Sequence, residues 1–319
     1  MVLLNVNSLT TEYRTEAGVI RAVDDVALSV ERTSMLGIVG ESGSGKSTLG
    51  LSIIRLLPPM GSIVKGSIKL DGKDLLSLSE EEMEEIRGRK IGYIFQDPLT
   101  SLNPVGKIKD HFVELITNHE PDTPVEQAVE RTRELLAQVG ISPERMDEYP
   151  HQFSGGMRQR IMIGLAVALR PDLIVADEPT TALDVIVQAK ILGLLNDMQK
   201  TYDAAVVLIT HNLGIVLERC DNIAVMYAGQ VVESGSSTDI YGDPLHPYTR
   251  ALLDTTPNVE LNEQKPKAIP GTPPDLLNLP RGCRFEPRCP VAFDRCKSEI
   301  PDLIRKGSGH DVRCFREGG

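Results

Sequence analysis

A glycine-rich loop between an apolar run and a helical segment is the feature that most constrains the fold of this chain. Residues 40–47 match the pattern G-x-x-x-x-G-K-S/T. In such a loop, backbone N–H groups surround phosphates, the lysine adds a positive charge and the final hydroxyl reaches magnesium. The predicted phosphate contacts are Gly40, Ser42, Gly43, Ser44, Gly45, Lys46, Ser47 and Thr48.

The segments on both sides of this loop fit a phosphate site. Residues 35–39 are a short apolar run typical of a buried strand, and residues 47–57 are predicted to form a helix that Pro58 ends. Phosphates bound by the loop would therefore sit at a helix N-terminus, where unpaired N–H groups favour negative charge. The pattern predicts a nucleotide site, and a flexible Gly/Ser turn is the weaker alternative.

Two later apolar runs end in polar side chains. Residues 173–176 lead into Asp177 and Glu178, and residues 204–209 lead to His211. Asp177 is predicted to hold magnesium and Glu178 to act as the base that polarises the attacking water. His211 is predicted to contact the terminal phosphate, because parallel strands end at the same edge of a sheet. The alternatives are a core strand entering an acidic turn and a structural histidine.

The sequence Phe153-Ser154-Gly155-Gly156-Met157 indicates a family. It resembles the signature LSGGQ of ATP-binding cassette (ABC) proteins, although Phe153 and Met157 depart from it. Ser154, Gly155 and Gly156 are the members that could bond a phosphate, and a plain helix N-cap is the alternative. The resemblance implies an α/β ABC ATPase fold with a RecA-like core, an inserted helical subdomain and an antiparallel β subdomain.

The same resemblance implies further roles and a domain organisation. Gln96 would link magnesium and the attacking water to the transport partner, and residues 182–184 would cross between paired subunits. Tyr13 would stack on adenine, with sheet packing as the alternative. The expected catalytic residues are Lys46, Gln96, Glu178 and His211, and the magnesium ligands are Ser47, Gln96 and Asp177. The expected nucleotide-binding domain spans residues 1–256, with the helical subdomain at about 97–165, and an extension spans 257–319.

Local patterns predict three further elements. An acidic helix is expected at residues 79–89. A second helix is expected to begin with a capping box at residues 123–126, with proline at its first position, and to end at Val139, before Gly140. Residues 223–232 are expected to form a hairpin.

Composition narrows the class of protein. The chain has 319 residues and a net charge of -11, which argues against a nucleic-acid surface because phosphates would be repelled. No basic segment precedes a long apolar one at the start, and the longest apolar run, residues 161–169, is shorter than the ~20 residues of a membrane helix. We expect a soluble protein without a signal peptide.

The end of the chain resembles a subfamily. Residues 243–249 and 282–290 are similar to the C-terminal region of oligopeptide and dipeptide importer ATPases. The resemblance implies a peripheral subunit on the cytoplasmic side of the membrane, two transmembrane permease subunits, an external solute-binding protein and a second ABC ATPase. A heterodimer of ATPases is expected, with a homodimer as the alternative, and residues 99–112 are the candidate permease contact. Nickel or oligosaccharide import and a non-transport ABC ATPase remain the alternative functions.

Four of the five cysteines lie near the end of the chain. They are Cys283, Cys289, Cys296 and Cys314. Cytosolic thiols stay reduced, which disfavours disulfides, and the spacing C-x5-C-x6-C-x17-C differs from the paired knuckles of structural zinc sites. Zinc nevertheless stays open on chemistry alone. The importer resemblance implies that these cysteines bind a 4Fe-4S cluster, while Cys220 is predicted to be a small buried hydrophobic residue. The adjacent arginines are predicted to offset thiolate charge, with arginines in a solvated loop as the alternative; they are Arg281, Arg284, Arg288, Arg295 and Arg313.

Overall fold

The computed structural model describes residues 1–181, 183–255, 268–307 and 309–317, except for the side chains of residues 99 and 100. The strands in chain order are β1 (Val2–Thr15), β2 (Gly18–Glu31), β3 (Met35–Val39), β4 (Gly61–Leu70), β5 (Lys73–Asp74), β6 (Ile91–Ile94), β7 (Leu173–Asp177), β8 (Ala205–Thr210), β9 (Asn222–Tyr227), β10 (Gln230–Ser236), β11 (Ile304–Lys306) and β12 (His310–Val312). The helices are α1 (Lys46–Ile53), α2 (Glu80–Ile86), α3 (Pro98–Ser101), α4 (Ile108–His119), α5 (Val125–Gln138), α6 (Gly155–Val167), α7 (Val185–Tyr202), α8 (Leu213–Arg219), α9 (Ser237–Gly242), α10 (Pro247–Thr255) and α11 (Asp294–Ser298). The predicted α/β class is confirmed.

Two of the sequence predictions fall outside the described residues. The expected domain boundary at residues 256 and 257 is one, and Ala182 of the expected crossing loop is the other. In the part of the chain that is described, no helix combines the length and the apolar character needed to cross a membrane.

The chain divides into two compact units. Met1 and Ser77–Val207 belong to the first unit, and Val2–Leu76 with Leu208–Gly319 belong to the second. Strand β8 crosses the boundary between them in sequence.

In the first unit, β6 and β7 pair in parallel, with Ile91 opposite Leu173 and Ile94 opposite Ala176. Every residue of β7 is buried, as expected for a parallel strand covered on both faces. The predicted acidic helix near residue 79 begins with a capping box, in which the Ser79 hydroxyl accepts from the Glu82 N–H and the Glu82 carboxylate accepts from the Ser79 N–H. The pairing places Asp177 at the carboxyl end of its strand.

The stretch predicted to be helical contains α3, α4, α5 and most of α6. The predicted cap of α5 is wrong in its details. Pro124 is the N-cap residue and gives no side-chain cap, while the Thr123 hydroxyl donates to the Glu120 carboxylate at 3.2 Å. The proline occupies the cap itself, because Thr123 is engaged with the preceding residues. The end of the helix is as expected, since Val139 is its C-cap residue.

In the second unit, β2, β1, β4 and β5 form an antiparallel sheet in that order. A second set of strands has the order β11, β12, β10, β9 and β3, with β3 parallel to β9. The predicted hairpin is confirmed as the antiparallel pair β9 and β10. Its turn residues, Ala228 and Gly229, have φ values of 45° and 88°, the geometry of a tight primed turn.

Helix α1 is shorter than the sequence predicts. It ends at Ile53 rather than just before Pro58, because Arg55 adopts a left-handed conformation with φ of 54°. A left-handed residue stops the ladder of helical hydrogen bonds. The Arg55 side chain stabilises this ending by donating to the Leu75 carbonyl at 3.0 Å. The helix therefore ends through a tertiary contact that the local sequence does not encode.

The C-terminal extension, residues 268–307 and 309–317, contains only short elements and is attached to the second unit at a few points. Strand β12 pairs with β10, with Glu233 opposite Val312. Phe285 is buried against two tyrosines, with ring centroids 5.2 Å from Tyr227 and 5.4 Å from Tyr248. This aromatic cluster buries a large apolar area in a segment that is otherwise poor in core.

Candidate functional site

The glycines of the phosphate loop are required by close backbone neighbours. A Cβ atom on Gly40 would lie 2.1 Å from the Met226 carbonyl oxygen, and one on Gly45 would lie 2.0 Å from the Ala22 carbonyl oxygen. Gly45 also has φ of 99°, which L side chains rarely adopt. The loop therefore presents bare backbone immediately before α1, in the geometry that binds phosphate at a helix N-terminus.

Lys46 lies inside the loop at the first position of α1. Its side chain is only 4% exposed, and Nζ donates to the carbonyl oxygens of Gly40 at 2.8 Å and Glu41 at 3.0 Å. The ammonium group is thereby held at the centre of the loop. The Thr48 hydroxyl, in the next part of the helix, lies 3.3 Å from the hydroxyl of Tyr13. The structure thus brings Tyr13 beside the first turn of this helix.

The predicted magnesium carboxylate has a partner that sequence reasoning missed. Asp177 is 4% exposed, and the Tyr93 hydroxyl donates to its Oδ2 at 3.2 Å. Burial raises the pKa of Tyr93 well above its ordinary value, and the neighbouring Asp177 charge raises it further. Tyr93 therefore remains protonated and donates to the carboxylate.

Glu178 follows directly on a strained turn. It has φ of 45°, and the Thr181 hydroxyl donates to its Oε2 at 2.7 Å. This hydrogen bond fixes the direction of the carboxylate. The backbone turn separates Glu178 from the buried strand that carries Asp177, so the two neighbouring carboxylates have different surroundings.

Gln96 and His211 are exposed side chains after two different strands. Gln96 lies two residues beyond β6, in the first unit. His211 lies between β8 and the residue that caps α8, Asn212, whose side chain accepts from the Gly214 N–H at 3.0 Å. Both lie on loops, where polar side chains are accessible to a ligand.

Ser154 occupies the N-cap position of α6, yet its side chain makes no capping hydrogen bond. Ser154 and Gly155 are both exposed. The N-cap alternative is therefore correct for the backbone, while the hydroxyl is not used to cap its own helix. Such an arrangement can offer a hydroxyl and helix N–H groups to an anion.

The two residues that depart from the family signature contact the same arginine. Phe153 is 2% exposed and packs under the Arg145 guanidinium, which lies 4.3 Å from the ring centroid. Nη1 of Arg145 also lies 3.6 Å from the sulfur of Met157, and Nη2 donates to the Gln152 carbonyl at 3.1 Å. Arg145 therefore braces the turn from both ends.

The four clustered cysteines line one cavity in the second unit, which we call the cysteine cavity. It is also lined by aromatic residues, including Phe285 and Phe315. Burial, with a smaller contribution from the neighbouring cysteines, raises the pKa of Cys283 to about 11. Burial also raises the pKa values of Cys289 and Cys314.

The predicted metal-binding character of the extension is not supported by this arrangement. Among the described residues, no group of three or more His, Cys, Asp or Glu side chains is arranged to hold a metal ion. A single zinc ion needs its thiolates at about 2.3 Å from one point, whereas these cysteines surround a cavity. Cys220, by contrast, is buried outside this group as predicted.

Two arginines adjacent to the cysteines have partners other than those expected. The sequence predicts that Arg284 and Arg288 offset thiolate charge, but their guanidinium groups pair with Asp24 and Glu41. These carboxylates lie 260 and 247 residues away in the chain. No local pattern could reveal pairs so distant in sequence.

Comparisons with known proteins agree with this geometry. The family described as "ABC transporter" matches residues 23–181, and "Oligopeptide/dipeptide transporter, C-terminal region" matches residues 232–296. The chain is similar to the oligopeptide transport ATP-binding protein AppD of Bacillus subtilis, with 46% identity covering 98% of this chain and 96% of that protein. It is also similar to the dipeptide transport ATP-binding protein DppD of Escherichia coli, with 44% identity covering 98% of this chain and 96% of that protein.

A solved structure shares the fold. A dimeric ATP-binding cassette in a post-hydrolysis state, bound to ADP and Pi, is 27% identical, with a TM-score of 0.67. The likeness covers 74% of this chain and 99% of that one. The predicted ABC ATPase fold is therefore confirmed, and this chain belongs to the ABC transporter family, in the branch with the oligopeptide and dipeptide transporter C-terminal region.

Proposed function

We propose that this chain is the ATP-binding and ATP-hydrolysing subunit of a multi-subunit importer for oligopeptides or dipeptides. The observation that carries the proposal is the phosphate loop, where close backbone contacts demand glycine and Lys46 is held within the loop. The names of the full-length relatives support the peptide branch over nickel or oligosaccharide import.

Each predicted site residue has a proposed role in ATP hydrolysis. The loop N–H groups and Lys46 would bind the phosphates, Tyr13 would stack on adenine and His211 would contact the terminal phosphate. Ser47, Asp177 and Gln96 would hold magnesium, and Glu178 would accept the proton of the attacking water. The exposed Ser154 and the helix start behind it support a role in binding the phosphate on a second ATPase subunit.

The proposed partners follow from the family. Two transmembrane permease subunits carry the solute, an external solute-binding protein delivers it, and a second, related ABC ATPase pairs with this chain. The subunit is peripheral on the cytoplasmic side of the membrane. The dimeric form of the similar cassette supports pairing of two ATPases.

We further propose that the cysteine cavity holds a 4Fe-4S cluster. The described side chains form no ready-made metal site, and the observation in favour of the cluster is that all four cysteines line the same cavity, since a cubane binds one thiolate at each of its four irons. Loading must release the protons of the buried thiols. The cluster would pin a segment that has too little apolar core to fold alone.

The transport proposal is tested with the reconstituted complex in vesicles. We expect peptide-loaded binding protein to stimulate ATP hydrolysis several-fold, and a complex carrying Glu178→Gln to remain inactive. Stimulation by nickel or by an oligosaccharide instead would contradict the peptide assignment. Failure of the chain to copurify with permease subunits would favour a non-transport ABC ATPase.

The cluster proposal is tested on protein purified without oxygen. We expect brown protein with about four irons and four sulfides per chain, as this cluster type requires. Serine at Cys283, Cys289, Cys296 or Cys314 should remove the colour, whereas the control Cys220→Ser should keep it. Colourless protein containing one zinc per chain would contradict the proposal.

A further inference from the structure

Glu41 is held on three sides within the phosphate loop. Its N–H donates to the Tyr248 hydroxyl at 2.9 Å, and its carbonyl oxygen accepts from Lys46 at 3.0 Å. Its carboxylate pairs with Arg288 of the C-terminal extension. Any movement of this residue would therefore disturb the lysine that the nucleotide site requires.

The pair between Arg288 and Glu41 is bidentate and enclosed. Nη1 donates to Oε2 at 2.7 Å and Nη2 donates to Oε1 at 3.1 Å, and the arginine side chain is 4% exposed. The guanidinium also donates to the Tyr227 hydroxyl at 3.2 Å and to the Pro270 carbonyl at 2.9 Å. Such charge-assisted forks are stronger and more directional than neutral hydrogen bonds.

A second arginine of the extension reaches the loop through one intermediate. Arg284 donates to the Ala228 carbonyl and to the Asp24 carboxylate. The next residue of that turn, Gly229, donates its N–H to the Ser44 carbonyl at 2.9 Å, and its own carbonyl accepts from the Asp24 N–H at 2.8 Å. Arg284 thereby fixes the turn on which the loop rests.

We propose that Arg288 and Arg284 are positioning residues for the nucleotide site, so that the C-terminal extension keeps the phosphate loop in its binding conformation. Arg288 acts directly through Glu41, and Arg284 acts through the turn at Gly229. Holding the loop before ATP arrives removes part of the ordering cost from binding. This inference rests on the proposed ATP-binding function.

Each of these arginines is adjacent in sequence to a residue of the cysteine cavity. Arg284 follows Cys283, and Arg288 precedes Cys289. Each arginine therefore contacts the phosphate loop or its supporting turn through its side chain, while a single peptide bond connects it to a cysteine of the cavity.

The test compares equilibrium ATP affinity in the full chain. Arg288→Ala should raise the Kd for ATP about tenfold, equivalent to about 1.4 kcal/mol, because the Glu41 carboxylate is left without its partner. Arg288→Lys should lie between this variant and the parent, since it keeps the charge and loses the fork. In the assembled transporter, the KM for ATP should rise while kcat at saturating ATP stays within about twofold, since only binding interactions are lost.

A second arginine–carboxylate pair in the same extension provides the control. Arg305 forms a similar fork with Asp311, at 2.8 and 3.0 Å, and neither of these hydrogen bonds involves the phosphate loop. Arg305→Ala should leave ATP affinity unchanged. An equal loss of affinity in Arg305→Ala and Arg288→Ala would show a general effect on folding and would overturn the proposal.

The double variant Glu41→Gln with Arg288→Ala decides whether the two residues act together. We expect its Kd to match that of Arg288→Ala alone, because the interaction is already lost. Multiplied effects would mean independent roles and would contradict the positioning proposal. Parent affinity in Arg288→Ala would also contradict it, whereas a parent chain that fails to bind ATP would contradict the proposed function itself.

Discussion

Tyr93 on β6 donates a hydrogen bond to Oδ2 of Asp177 on β7, over 3.2 Å. The two strands are paired in parallel, so the tyrosine reaches the end of its neighbour from within the same sheet layer. A fixed donor holds this carboxylate in one orientation. Under the proposed magnesium role of Asp177, Tyr93 would act on the metal through that carboxylate.

Tyr93→Phe should raise the magnesium concentration needed for half-maximal ATPase activity about tenfold. Loss of the hydrogen-bond partner of a metal ligand typically lowers metal affinity by that amount. A magnesium titration of hydrolysis at saturating ATP measures this. Tyr241, which is exposed, provides the control Tyr241→Phe. Equal magnesium requirements in the two variants would contradict the role.

Glu178→Gln should bind ATP with magnesium and hydrolyse it at least a hundredfold more slowly, because the amide cannot accept the proton of water. Phosphate contacts remain, so the protein should accumulate in a closed, ATP-bound dimer. Single-turnover hydrolysis and size-exclusion chromatography with ATP measure the two effects. Hydrolysis at the parent rate in the coupled transporter would show that Glu178 is not the base.

Lys46→Ala should act at an earlier stage, on nucleotide binding. The buried ammonium is held by two loop carbonyls, so its removal takes away a cation facing the phosphates and also two hydrogen bonds. We expect the Kd for ATP to rise at least tenfold in a binding titration. Affinity equal to that of the parent would exclude the proposed phosphate role.

Arg145→Ala should weaken the turn that carries the signature. The guanidinium stacks on Phe153 and lies near the Met157 sulfur. Its loss therefore removes a contact from each of these two residues, which are the ones that differ from the family signature. We expect ATPase activity of the assembled transporter to fall several-fold while ATP affinity of the isolated chain stays unchanged, because the phosphate loop is not altered. Arg133→Ala, on α5, is the control. Reduced ATP affinity in Arg145→Ala would contradict this separation.

Local sequence was enough to predict the strands that carry the site. The runs before Gly40, Asp177 and His211 are continuous and apolar. Each forms a buried strand that ends at or next to the named residue. Their burial on both faces makes the signal strong in a single sequence. The hairpin of β9 and β10 was predicted for a similar reason, since a two-residue turn containing glycine follows a strand-like run.

What the sequence could not reveal depends on contacts between distant segments. The early end of α1 follows from the contact between Arg55 and Leu75, and the pairing of Arg288 follows from its approach to Glu41. The cysteine spacing suggested a ligand set but not the cavity that the side chains line. In each case the deciding partner is remote in the chain, where neither periodicity nor a local motif carries information.

The left-handed backbone at Glu178 lowers the stability of the fold at the residue that is proposed to be the catalytic base. A residue other than glycine destabilises the folded state by roughly 1 kcal/mol in this conformation. A carboxylate side chain can be placed at this position only at that cost. Selection for heat resistance alone would favour Glu178→Gly, which relaxes the dihedral and deletes the proposed base. Selection for ATP hydrolysis would favour glutamate at this position again, together with its strained backbone. A screen for thermostability alone would therefore select against the residue proposed to activate water.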